Sequence, residues 1–192
     1  IWLATDGGIN IYDRASHTFG KHRLTDSTHC AIANWVYAIL EEPADSTLWT
    51  AGYLGGIFVE PLERFRREGN THIARDLISS ADGLPNDYIG DMVRDARGNK
   101  WILNFRDTAM TRIDARTGAI SRVPLRSRGA GEPVSVCTDA DGRVWVAFYG
   151  GVTAFSPEGT PLDSLVALPA DSDMNIRTIA SVEVGGQAVL RK

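Results

Sequence analysis

One slot, filled four times, constrains this chain more than any other feature of it. Tryptophan stands inside four short apolar runs: Ile1-Trp2-Leu3-Ala4-Thr5, Leu48-Trp49-Thr50-Ala51-Gly52, Lys100-Trp101-Ile102-Leu103-Asn104 and Val144-Trp145-Val146-Ala147-Phe148. The tryptophans lie 47, 52 and 44 residues apart. A second run follows each: Gly8-Ile9-Asn10-Ile11-Tyr12, Gly56-Ile57-Phe58-Val59, Met110-Thr111-Arg112-Ile113 and Val152-Thr153-Ala154-Phe155. Three of the intervening loops carry a glycine pair, at Gly7-Gly8, Gly55-Gly56 and Gly150-Gly151. Upstream of the last three tryptophans stand Trp35–Leu40, Tyr88–Val93 and Pro133–Cys137. Acidic turns, Asp95-Ala96-Arg97-Gly98-Asn99 and Asp139-Ala140-Asp141-Gly142-Arg143, link the last two of these runs to their tryptophan. Glu42-Pro43-Ala44-Asp45-Ser46 takes the same place in the earlier unit.

Period-two alternation, short runs and turn residues at both ends specify strands, and no segment carries a helical stripe. A fourth strand is expected in each unit, near Thr18–Arg23, Thr71–Leu77, Ala119–Leu125 and Pro161–Ala167. Four strands on this period make the blade of a β-propeller. The predicted fold is therefore all-β, with about four blades of four antiparallel strands. A partial blade spans 1–27, blades span about 34–80, 87–127 and 133–170, and the first strands of a further blade span 175–192. The chain opens at a second strand and ends at Ala188-Val189-Leu190, a tryptophan-strand slot without its tryptophan. Either the terminal strands complete a small four-bladed ring or the chain is part of a larger one; the larger ring is the expectation.

Composition removes several classes of function. The formal net charge is -4 with no basic stripe, so nucleic acid is not an expected partner. No apolar run approaches the roughly 20 residues that cross a bilayer as a helix, so no membrane insertion is expected of this chain. Cys30 and Cys137 are read as free thiols. His17, His22, His29 and His72 lack metal-ligand spacing. Asp139-Ala140-Asp141-Gly142 begins like a calcium loop, but the closing glutamate position is Gly150, so a hairpin turn is the better reading. No nucleophile elbow or phosphate-cradling loop is present. Neither a cofactor, a metal nor a catalytic residue is expected.

The combined pattern resembles the two-component regulator propeller repeat. Its hallmarks are Gly-Leu-Pro before the first strand, Asp-x-x-Gly-Asn before the tryptophan, and a Trp-aliphatic-x-Thr run leading to Gly-Gly. Asp82-Gly83-Leu84-Pro85-Asn86-Asp87 and Asp95–Ile102 carry the first two, and Ile1–Asp13 the third. Asn104-Phe105-Arg106-Asp107 replaces the glycine pair in the third unit, and Phe148-Tyr149 stands where the fourth would carry threonine. The resemblance implies the periplasmic sensor region of a membrane-bound regulator, many of them hybrid histidine kinases of Bacteroidetes that respond to oligosaccharides. Two seven-bladed propellers often stand in tandem there before an immunoglobulin-like module and a transmembrane helix. The implied partners are an oligosaccharide or other small ligand, further blades of the same protein, and a second copy in a homodimer. The sensor reading also predicts that signal passes by reorienting whole propellers or that dimer interface.

Strand order places the candidate site. In an antiparallel blade the second-to-third-strand loop and the connection to the next blade emerge at one end, the other two turns at the opposite end. The first end collects Asp6, Tyr53, Arg106, Asp107 and Tyr149, with Asn34, Trp35, Asn86, Asp87 and Tyr88 from strand starts. Rings stack on the apolar faces of sugars, while amide, carboxylate and guanidinium groups meet hydroxyls. Trp35, Tyr53, Tyr88, Arg106 and Tyr149 are the candidate ligand-binding residues; the four repeated tryptophans are assigned to the blade cores. Two rival readings use the same fold: a lyase of the streptogramin type, with His29 on the candidate end, and a scaffold for a protein partner.

Overall fold

The computed structural model describes residues 1–24, 35–63, 71–72, 76–125, 131–167, 176–184 and 187–191. It divides into two compact units, Ile1–Gly90 and Asp91–Lys192.

In the first unit, β1 (Trp2–Thr5), β2 (Gly8–Asp13) and β3 (Thr18–Leu24) form an antiparallel meander. The next blade is built from β4 (Val36–Glu42), β5 (Thr47–Gly52) and β6 (Ile57–Pro61). The single strand expected over Thr71–Leu77 is instead two. β7 (Thr71–His72) runs parallel to β3, against Arg23 and Leu24, whereas β8 (Asp76–Ile78) pairs antiparallel with β6. The backbone groups of this segment are satisfied in two different sheets, which the pattern of side chains does not encode. Ile9, Val36, Leu48 and Leu62 are buried together, with Trp2 and Ile39 packed against them.

In the second unit, β9 (Ile89–Arg94), which starts at the unit boundary, leads to β10 (Lys100–Asn104), β11 (Ala109–Ile113) and β12 (Ile120–Pro124) in one four-stranded sheet. β13 (Pro133–Thr138), β14 (Val144–Phe148), β15 (Gly151–Phe155) and β16 (Pro161–Ala167) form the next. β17 (Ala180–Val184) and β18 (Gln187–Arg191) make a hairpin. The further blade expected over 175–192 has its first strand only from Ala180, and Ile176 and Ile179 before it are core residues with Cys137 and Ala147. Every residue of β10 is buried, and Trp101, Leu103, Met110, Val136, Val146, Phe148 and Phe155 share one core.

The fold is the expected one, sheets with the strand pattern of propeller blades. Its tryptophans are architecture: Trp49 and Trp101 are buried, and Trp2 and Trp145 pack half-buried against the cores beside them. The first strands of two blades bulge at the same place, between Val36 and Ala38 and between Pro133 and Ser135. A bulge re-aims the side chains around it, and both sit at the end that carries the candidate residues. Among the described residues no helix is long and apolar enough to cross a membrane.

Candidate functional site

The acidic turns explain what the opposite end of a blade does with its charge. Asp95 Oδ1 accepts from the backbone N–H groups of Arg97 and Asn99, both at 2.9 Å. Its Oδ2 accepts from Asn99 Nδ2 and from Trp101 Nε1, both at 2.8 Å. Asn99 Oδ1 accepts from Ala115 N at 3.0 Å, tying this turn to the next hairpin. Asp139 repeats the device: Oδ1 takes Asp141 N and Arg143 N, and Oδ2 takes Arg143 Nε and Trp145 Nε1, both at 2.7 Å. Burial pushes the Asp139 carboxyl up, but the bonds from Trp145 and Arg143 outweigh it and hold the group below the usual carboxylate range. In the earlier blade Thr47 relays the contact, accepting from Trp49 Nε1 at 3.1 Å and donating to Asp45. Asp95 and Asp139 lock the tryptophans of their blades directly, and each accepts four hydrogen bonds.

At the candidate end of the first unit the structure brings three predicted residues together. Trp35 and Tyr53 lie 5.4 Å apart between ring centroids, tilted by 36°. Tyr53 meets Tyr88 edge-to-face at 5.1 Å and 87°. Trp35 is 46% and Tyr53 36% exposed, so the cluster faces solvent rather than filling a core. Backbone bonds build it. Tyr53 N donates to Trp35 O and Gly56 N to Asp87 O, both at 3.1 Å, so the loop is held on each side by the strand start that carries a neighbouring ring. Gly52 makes the first approach possible, since a Cβ there would lie 1.7 Å from the Trp35 carbonyl oxygen. The segment before Tyr88 is locked internally as well. Ser79 and Asp82 form a capping box around a 3-10 turn, Gly83 closes that turn in the left-handed conformation, and Leu84 is buried. The Asp87 carboxylate accepts from Ser80 N and Ser80 Oγ, and Asn86 Oδ1 from Tyr88 N. The Gly-Leu-Pro motif thus positions the third ring.

In the second unit Arg106 and Tyr149 take different roles. Arg106 is exposed at the tip of the β10–β11 loop, makes no hydrogen bond or ion pair with the described residues, and lines an open cavity of about 380 Å³. Asp107 accepts from Arg122 on β12 and not from its neighbour Arg106. Tyr149 is half-buried and is not one of the cavity's lining residues. Arg177 stacks over its ring at 5.3 Å and its carbonyl accepts from Ile176 N at 3.1 Å. Asp6 is exposed, while Asn34, His29 and Cys30 lie outside the described residues. Among the described residues no three His, Cys, Asp or Glu side chains are grouped to hold a metal ion.

Sequence reasoning missed one polar group. Asp91, on β9, accepts from Ser135 Oγ at 2.8 Å and Val136 N at 2.9 Å, clipping β9 to β13. Burial pushes its carboxyl above the usual range in spite of these bonds. The signal was faint, an aspartate inside a strand run otherwise short of charge.

The extracellular domain of BT4673 of B. thetaiotaomicron, described as a hybrid two component system, is 30% identical to this chain, with a TM-score of 0.76 over 89% of the chain. The neighbours match the two-component regulator propeller family. The chain spans 23% of that BT4673 domain. The extracellular domain of BT3049, a hybrid two component system of the same organism, shares the fold at 14% identity and a TM-score of 0.67, over 98% of this chain and 24% of its own. A virginiamycin B lyase from Staphylococcus aureus does so at 16% and 0.68, over 95% of this chain and 56% of its own. No family model and no curated protein matches the chain.

Proposed function

We propose that this chain is part of the periplasmic sensing region of a membrane-bound two-component regulator, and that it binds oligosaccharide without transforming it. The observation that carries the binding claim is the solvent-facing group of Trp35, Tyr53 and Tyr88. Three rings meeting at angles offer stacking surfaces in more than one plane, and the loops presenting them are pinned before any ligand arrives. Such preorganisation spares the ordering cost of binding. The placement outside the cytoplasm, and the assignment of signalling output to other parts of the protein, rest on the likeness to the extracellular domain of BT4673. The lyase neighbour supports the fold alone, at 16% identity.

The test is calorimetric titration of the protein with a panel of neutral oligosaccharides. A ligand of the panel should lose about tenfold or more in affinity in Trp35→Ala and in Tyr53→Ala, a loss of about 1.4 kcal/mol. Unaltered binding in both variants would place the site elsewhere.

A further inference from the structure

The cavity in the second unit has a chemistry different from that of the aromatic group. We propose that it is a second binding site, for a sugar that carries a carboxylate, with Arg106 as the anchor. The repeat departs from its own pattern at Arg106-Asp107, which stand where the other three units have a glycine pair, and both residues line this cavity. Phe148, which also borders it, is wholly buried and belongs to the blade core.

The lining sorts by role. Asp107 is neutralised by Arg122, so it does not compete with a ligand for Arg106. That leaves the Arg106 guanidinium as a cation on one wall, with Glu132 exposed among the other lining residues and no ion pair between the two. A guanidinium fork matches a carboxylate with two parallel N–H···O bonds. Glu132 is acceptor-only and suits the hydroxyls of a sugar ring, while Leu125 and Pro133 supply apolar surface for its C–H face. The volume, about 380 Å³, lies in the lower range of small-ligand sites and fits one or two sugar residues. The backbone of Arg106 is left-handed, φ 57°, but Leu54 in the matching loop of the first unit has φ 62°. That conformation belongs to the turn, so a glutamine at position 106 meets the same backbone cost as the arginine.

Galacturonate and galactose, which differ only at the C6 carboxylate, are the decisive pair, titrated into the protein by calorimetry with amide NMR shifts as a second readout. Galacturonate should bind at least tenfold tighter than galactose and shift the amides of 105–108 and 131–132. Arg106→Gln should erase that preference and Arg106→Lys reduce it, while Tyr53→Ala leaves it intact. Equal binding of the two sugars, no binding of either, an unchanged preference in Arg106→Gln, or inorganic phosphate competing as well as galacturonate would each overturn the proposal. A preference lost in Tyr53→Ala but kept in Arg106→Gln would overturn this site and leave the oligosaccharide reading at the aromatic group standing.

Discussion

The two ends of the third blade treat charge in opposite ways. At one end Asp95 is 1% exposed and accepts four hydrogen bonds, two of them from backbone and one from the tryptophan that fills the blade. At the other, Arg106 is exposed and makes no hydrogen bond or ion pair with the described residues. The same contrast recurs in the second blade, where the Asp45–Thr47–Trp49 chain is closed on itself and the rings of Trp35 and Tyr53 are left open to solvent. Repetition with saturated partners marks architecture, and irregularity with open valences marks a surface that can receive something.

Four substitutions would sharpen or break that contrast. The largest effect is expected at the closed end. Trp101→Ala should cost about 3–5 kcal/mol in urea unfolding, since the side chain is wholly buried and the lost volume leaves a cavity. Asp95→Ala should cost about 3 kcal/mol, because Trp101 Nε1 and two backbone donors lose their acceptor at once. Asp139→Ala should cost less, since Arg143 keeps Asp141 at 2.6 Å. By contrast Arg106→Ala should stay within about 0.5 kcal/mol of the parent. A loss at Arg106 as large as that at Asp95 would end the distinction between the two ends.

The smallest effect is in the pH dependence, and here two half-buried carboxylates pull in opposite directions. The carboxyl of Asp139 is held low, so its contribution is complete above the ordinary carboxylate value and is lost as pH falls through the lowered one. That of Asp91 is raised, so its contribution is complete below the ordinary value and is lost as pH rises through the raised one. Urea midpoints measured across the carboxylate range should therefore fall less steeply towards acid in Asp139→Asn than in the parent, and more steeply in Asp91→Asn. Parallel profiles for all three proteins would show that neither group is coupled to folding in this way.

Most of the architecture was legible in the residues because blades repeat, and a repeat averages out local ambiguity. The tryptophan slots, the hairpin turns and the loop end all follow from spacing and turn chemistry. The site was legible only as a set of separate candidates. What draws Trp35, Tyr53 and Tyr88 together is backbone bonding across long separations, with Gly52 leaving room for a carbonyl, and side-chain patterns do not report that. Asp107 illustrates the limit from the other side. Adjacent in sequence to Arg106, it pairs with Arg122, fifteen residues away and one strand over. The tryptophan lock was within reach of a closer reading: in both glycine-bearing turns the aspartate precedes its tryptophan by six residues.

The split of the Thr71–Ile78 segment between two sheets has a mechanical meaning. Neighbouring blades of a propeller ordinarily touch through side chains and can be peeled apart one contact at a time. Here the chain that ends in β8 has first laid two residues parallel to β3, so in the first unit consecutive blades share a stretch of backbone. A force that separates them loads this short seam together with the β6–β8 ladder. Two residues hold only a few bonds, so the seam acts as a fuse: it sets where the pair of blades parts first, before either sheet gives way.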